Sequence, residues 1–418
     1  MPATLEGASA SILDDLRKRM DAIVARTRAE PPRPLPEPSA PELELPFCVE
    51  ETPAGPLHVR TLRLSDAHRV GRAPVSAARR ADPEVLALLA LDPTLAACAP
   101  SGALYLDTET TGLGPGAGTV AFLVGLAWMD AEAGLVVEQL LVRRLGEEGP
   151  VLARVAERIR AASMLVTFNG KSFDLPVLRT RFVMTRMAWP LEPPHLDLVH
   201  VARRLHKARA IGATLGAVER EILGFAREND VPSGEVCACY LHYLRTGDPT
   251  ALIGVVEHNA WDVVSMVSLV GLYGEPLEGS QLAGDDLVGV ARTLRRAGRI
   301  DLAFETADAA LARGATPEHG FRARAEIAKA RGDKARALAD FETLAEGVDD
   351  PKVRLELAKL YEHHAKDAAR ALELVGEGTA ETDERRAHRA ARLQAKIERA
   401  KALTTSDGVV IGKTGKLL

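Results

Sequence analysis

Leu104-Tyr105-Leu106-Asp107-Thr108-Glu109-Thr110-Thr111-Gly112 is the stretch on which the reading of this chain turns. A short apolar run reads as a buried strand, and this one ends on two acids one residue apart. Strand side chains alternate between faces, so Asp107 and Glu109 share a face. Close carboxylates repel, and burying them is costly unless a cation neutralises them. Taken alone, the segment also fits ordinary solvated acids at a strand end.

Two later segments add to it. Met164-Leu165-Val166-Thr167-Phe168 reads as another strand, running through Asn169-Gly170-Lys171-Ser172-Phe173 into Asp174 and a helix that reaches Phe182. Glu257-His258-Asn259-Ala260-Trp261-Asp262 lies in a long periodic helix, where His258 and Asp262 are four residues apart and so on one face. Four carboxylates and a histidine, delivered by two strand ends and two helices, suit a pair of divalent cations. Hard cations take oxygen ligands, and ions about 3.5–4 Å apart stabilise the attacking and leaving oxygens of a displacement at phosphorus. Each residue has a plainer reading. Asp174 fits a helix cap, His258 a surface histidine, and Asp262 half of an ion pair. Their order and their elements together favour the metal site.

LDTETTGL from Leu106, TFNGKSFDLPVL from Thr167 and HNAWDVVSM from His258, in that order, resemble the motifs of the DEDD exonuclease branch of the RNase H-like superfamily. The resemblance is closest to the YprB (MrfB) type, in which a TPR-like tail follows the nuclease. It spans Ser101 to Tyr273, or to about Ala400 with the repeats. It implies that Asp107, Glu109, Asp174 and Asp262 ligate two divalent cations, Mg2+ or Mn2+, and that His258 is the general base. Thr110, Asn169 and Lys171 become candidate substrate contacts. The resemblance further implies 3′-to-5′ polarity, DNA as substrate, and DNA repair beside a helicase partner. An RNA-directed nuclease with the same site is one alternative, and a TPR adaptor that binds nucleic acid without cutting is another. Three residues separate His258 from Asp262, the spacing of tyrosine-type members of that branch, whereas histidine-type members place four there.

The 418 residues, 46% of them hydrophobic, allow two or three domains with buried cores. Cys48, Cys98, Cys237 and Cys239 are too few and too scattered for a disulfide framework, and Cys237-x-Cys239 lacks the CxxC spacing of zinc or redox motifs. Asp14, Asp15, Arg17, Lys18 and Arg19 interrupt any apolar leader. The apolar stretch around Val120 to Met129 falls far short of the roughly 20 residues that span a bilayer. These features predict a cytoplasmic protein with no membrane partner. A net charge of −5 counts only weakly against nucleic acid, because binding depends on local patches. Arg179, Arg181 and Arg186 form one candidate patch, and Arg203, Arg204, His206, Lys207 and Arg209 another. With 4% aromatic residues, no platform for stacking several bases stands out.

The expected organisation is α/β: an RNase H-like mixed sheet flanked by helices, followed by an all-α TPR-like helical repeat domain. Residues 1–46 read as a helix and a Pro-rich linker, and 47–100 as an extension with a hairpin near Gly55-Pro56 packing on the nuclease. Residues 101–278 form the nuclease, with strands at Leu104, Thr119–Trp128 and Gly134–Val142, a helix over Pro150–Ala161, and alternating elements after Met164. Gly112, Gly114, Gly116 and Gly118 read as a flexible turn, since no Gly-Lys-Ser/Thr ending follows. Asp197 reads as structural.

From 282 to 402 a 34-residue period relates Ala303, Ala337 and Ala371, and likewise Leu287, Phe321 and Leu355. Gly298 pairs with Gly332, and Lys366 stands where a third glycine would fall. Residues 403–418 read as a disordered tail. Because every motif precedes Ser280, the nuclease is expected to fold without the repeats.

Overall fold

The apolar run at Leu104 becomes the middle of a mixed sheet. The computed structural model describes residues 44–112 and 116–406. The expected N-terminal helix, most of the expected linker, the centre of the glycine-rich turn and the tail beyond Ser406 lie outside the described residues; residues 403–406, expected in the disordered tail, instead continue the last helix, Asp383–Ser406. Strands β1 (Cys48–Thr52) and β2 (Gly55–Leu64) form a hairpin, and a two-residue ladder joins β3 (Arg69–Val70) to β4 (Ala73–Pro74). Strands β5 (Ala103–Thr110), β6 (Ala121–Asp130) and β7 (Gly134–Leu141) then form an antiparallel meander. The helix Gly149–Ala161 crosses to β8 (Met164–Thr167), parallel to β5, and the helix Asp174–Met184 leads to β9 (His195–Asp197), parallel to β8.

The large sheet therefore has seven strands in the order β1-β2-β7-β6-β5-β8-β9. The meander and the two crossovers follow the RNase H-like arrangement expected from the strand order. The hairpin extends the sheet, because β2 pairs antiparallel with β7 from His58–Leu141 to Leu64–Leu135.

The alternation along β5 decides what each face meets. Leu104 and Leu106 pack with Val151, Val155 and Ile159 of the helix Gly149–Ala161 and with Leu175 and Leu178 of the helix Asp174–Met184. Ala103 and Tyr105 face the other way, into a cluster with Val263, Val267 and Val270 of the long helix Thr250–Tyr273. Asp107 and Glu109 continue that second series, so the strand carries them toward the long helix.

After Leu282 the described residues are helical, with helices Gly284–Arg296, Ile300–Ala312, Pro317–Arg331, Lys334–Gly347, Pro351–Leu360, Ala368–Gly376 and Asp383–Ser406. Ala303, Ala337 and Ala371 are all fully buried, as small residues must be where helices cross closely. The turn residues Gly298, Gly332 and Lys366 all have positive φ, at 79°, 91° and 61°. Lys366 thus adopts the left-handed conformation that glycine supplies at the equivalent points, and the third hairpin keeps its turn at some backbone cost.

The expectation that the nuclease folds without this region conflicts with its packing. One continuous buried cluster holds Tyr105, Val263 and Tyr273 together with Leu287, Val288, Leu294, Ala303 and Ala323. Gly289 lies so close to the end of the helix Leu198–Leu205 that an added Cβ would sit 2.1 Å from the Leu205 carbonyl oxygen. His206 is buried between the two regions, its Nδ1 2.8 Å from Asp286 Oδ1 and its Nε2 2.8 Å from the Tyr273 hydroxyl. The motifs end before Ser280, but the core that supports them does not.

Candidate metal centre

The acids at the end of β5 meet the long helix at an unusual partner. Asp107 lies opposite Gly125 of β6, and Gly125 lies opposite Gln139 of β7. Asn259, fully buried on the long helix, donates through Nδ2 to Asp107 Oδ2 at 2.9 Å and accepts from Gln139 Nε2 at 3.0 Å. Gln139 Nε2 also donates to the Val256 carbonyl at 2.7 Å. A Cβ on Gly125 would fall 2.4 Å from Asn259 Oδ1, so only glycine leaves room for this link. Arg60 of β2 completes the chain, donating to Gln139 Oε1 at 3.1 Å and to Glu257 Oε1 at 2.6 Å. The N-terminal hairpin thereby braces the carboxylate of Asp107 through three side chains.

Asp174 is buried at the start of its helix. Its Oδ1 accepts from the backbone N–H of Thr108 at 3.0 Å and from the Thr108 hydroxyl at 2.6 Å. The residue between the two β5 acids therefore ties the third acid to them. Asp197 holds the loop before it, accepting from the N–H groups of Asn169 at 2.7 Å and Lys171 at 3.0 Å. That is the structural role read for Asp197, and it fixes Asn169 at a φ of 71°.

His258 and Asp262 share a helix face as their spacing requires, with Nε2 to Oδ2 at 3.5 Å. Glu109 Oε1 lies 4.0 Å from the same Nε2. Ligand atoms of Glu109, His258 and Asp262 all fall within 4.8 Å of one another, close enough to hold one ion. The tight group thus contains the histidine that the sequence reading kept as a base. Asp107 and Asp174 flank it, each with one oxygen committed to a hydrogen-bond donor.

The electrostatics mark these acids as neighbours. Burial, then the charges of Asp262, Asp174 and Glu109, push the Asp107 carboxyl well above the usual carboxylate range, with Asn259 opposing. Burial and Asp262 push Glu109 up to about 8, His258 working against them. Burial raises Asp174 to about 6 despite the bonds from Thr108. Burial alone would lower His258, but Asp262, Glu109 and Asp230 together raise it. Crowded oxygen donors that resist ionisation suit a hard dication, which would supply the missing positive charge.

Sequence reasoning missed several of the residues that hold this arrangement. Asp230 Oδ1 lies 2.6 Å from His258 Nδ1, which leaves Nε2 aimed at the acids. Arg227 pairs with Asp262, and Glu219 grips the same guanidinium through two bonds at 2.6 and 2.9 Å. Asn259 was adjacent to a motif residue, which was signal enough. Arg227, Glu219 and Asp230 lie 32 to 43 residues before Asp262 in segments without a motif spacing.

The substrate contacts and basic patches change in part. The Thr110 hydroxyl donates to the Gly112 carbonyl at 2.7 Å, so it serves the turn. The side chains of Asn169 and Lys171 are exposed beside Asp174. Arg179 bonds Glu192, and Arg181 bonds Glu148 and the Ala117 carbonyl. Arg204 donates to the Leu89 carbonyl, Arg209 pairs with Asp286, and His206 is buried. Arg179, Arg186, Arg203 and Lys207 are the exposed members of the two proposed patches, and Arg179 is already paired with Glu192. No helix among the described residues is long and apolar enough to cross a membrane.

Residues 104–273, from β5 to the end of the long helix, match a family model described as the RNase_H superfamily. Over 167 residues the chain is 40% identical to the uncharacterized protein YprB of Bacillus subtilis (strain 168), and the aligned part covers 40% of each chain. The chain thus spans about two fifths of the length of that curated relative. In sequence match and in sheet order alike, the segment from Leu104 to Tyr273 is similar to the RNase H superfamily.

Proposed function

We propose that this chain is a metal-dependent exonuclease that hydrolyses phosphodiester bonds of DNA from the 3′ end. The observation that carries the reading is the convergence of Glu109, His258 and Asp262 beside the braced carboxylates of Asp107 and Asp174. The superfamily match supports nucleic-acid cleavage, and the motif resemblance supports the DEDD type, DNA over RNA, and a setting in DNA repair.

Asp107, Glu109, Asp174 and Asp262 would hold two cations, Mg2+ or Mn2+. Bound there, such ions polarise the phosphate and lower the pKa of water. The chain's own residues do the rest. Thr108 and Asn259 keep two carboxylates from turning away. Asp230 fixes His258 so that Nε2 faces the site, and neutral His258 takes a proton there as general base. The exposed Lys171 and Asn169 stand where a substrate backbone would pass. The 34-residue hairpins, read as TPR-like repeats, would offer a surface to a protein partner such as a helicase.

The test uses end-labelled DNA and RNA, single- and double-stranded, with Mg2+, Mn2+ or EDTA. Shortening of DNA from the 3′ end that stops with EDTA and in Asp107→Ala supports the proposal. Cleavage that persists in EDTA overturns the metal mechanism, and cleavage of RNA alone overturns the substrate.

A further inference from the structure

Arg227 is the one guanidinium among the described residues seen bonded to a carboxylate of the acid cluster. Its side chain is only 7% exposed, and Glu219 behind it is 2% exposed. Arg227 reaches Asp262 through Nη2 and faces Asp230 Oδ2 through Nη1 at 3.7 Å. The His258 carbonyl oxygen lies 3.5 Å from Nη1. The loop that carries Arg227 is anchored close by. Phe225 packs on Trp261 of the long helix with ring centroids 5.1 Å apart, and its N–H bonds the Glu219 carbonyl at 3.0 Å. The guanidinium is therefore held where it is, not swung in from solvent.

Its target oxygen matters. Arg227 takes Asp262 Oδ1, while Oδ2 lies toward His258 and the site. A carboxylate shared with a buried guanidinium has less charge to offer a dication, and a fixed positive charge nearby repels the same ion.

We propose that Arg227 is a resident counter-ion of the metal centre, competing with the divalent cation for Asp262 and keeping cation affinity low. It stabilises the acid cluster when no ion is bound and weakens each ion that binds. The inference rests on the metal reading of the site proposed above. Arg227 acts through Asp262 and is not itself a catalytic residue.

The experiment is a calorimetric titration of the full chain with Mn2+, paired with melting temperatures in EDTA and in saturating Mn2+. Arg227→Gln is expected to bind Mn2+ at least about tenfold more tightly than the wild type, as loss of a close unit charge dictates. It should melt lower in EDTA and gain more from Mn2+. Arg227→Lys keeps the charge but not the fork, and its affinity should stay within about threefold of the wild type. Should Arg227→Gln fail to fold around an unpaired Glu219, Glu219→Gln with Arg227→Gln removes both buried charges and should still bind more tightly. Unchanged or weaker binding in the Gln variants overturns the inference and makes Arg227 a brace for Asp262. Asp107→Asn separates this from the underlying reading. If the wild type binds no Mn2+, or binds it equally with Asp107→Asn, the metal centre itself is refuted.

Discussion

Glu109→Gln in metal-free protein is the sharpest probe of the acid cluster. Glu109 is raised from 4.5 to about 8 by burial and by Asp262. The folded state then holds this proton more tightly than the unfolded chain does. Between those two values folding takes up protons, so stability falls as pH rises. Each pH unit in that window is worth about 1.4 kcal/mol. Glutamine mimics the protonated acid without the titration. In EDTA it should therefore stabilise the protein by about 3 kcal/mol at pH 7 but only about 1 kcal/mol at pH 5. Urea denaturation at the two pH values measures this directly. Saturating Mn2+ should reverse the order, since it stabilises the wild type by mass action and has one ligand fewer in the variant. A stabilisation equal at both pH values, or a variant less stable than wild type at pH 7, refutes the crowding of Glu109 with Asp262.

Asn259→Ala should cut nuclease activity about 10- to 100-fold, the range for outer-shell partners of metal ligands, and Gly125→Ala should do the same by displacing Asn259. His258→Ala should lower the rate roughly 100- to 10,000-fold while Mn2+ still binds, and His258→Tyr should retain more activity than Ala, since the three-residue gap matches tyrosine-type relatives. With wild type the rate should rise with pH as His258 loses its proton, and a flat profile would argue against its acting as base. His206→Ala leaves Asp286 Oδ1 and the Tyr273 hydroxyl buried without their partner, while Arg209 still pairs Asp286, and should cost about 1–3 kcal/mol, read as early proteolysis between Tyr273 and Gly284. Truncation after Ser280 should give insoluble protein, because it uncovers the shared cluster around Leu205 and Tyr273; a soluble truncated protein that melts cooperatively would show that the cluster divides.

The sequence by itself determined the elements whose signal is local. Period-two alternation placed β5 with its two acids on one face, and the four-residue spacing placed His258 and Asp262 together. The 34-residue period was legible because each hairpin repeats the same crossing and the same turn, down to the conformation of Lys366. Tertiary structure alone decided which groups hold the acids in place. Arg227, Glu219 and Asp230 lie in segments whose positions depend on packing against Trp261 and the long helix, and no spacing encodes that. Strand pairing brings Arg60 to Gln139, and packing of the long helix on the sheet brings Asn259 to Gln139, contacts that span 199 residues from Arg60 to Asn259. The boundary near Leu282 was visible as a change of period, yet burial ignores it, because apolar faces of both regions are excluded from water only against each other. Local pattern fixes what each segment is, and the meeting of distant segments fixes which carboxylate oxygen is free to act.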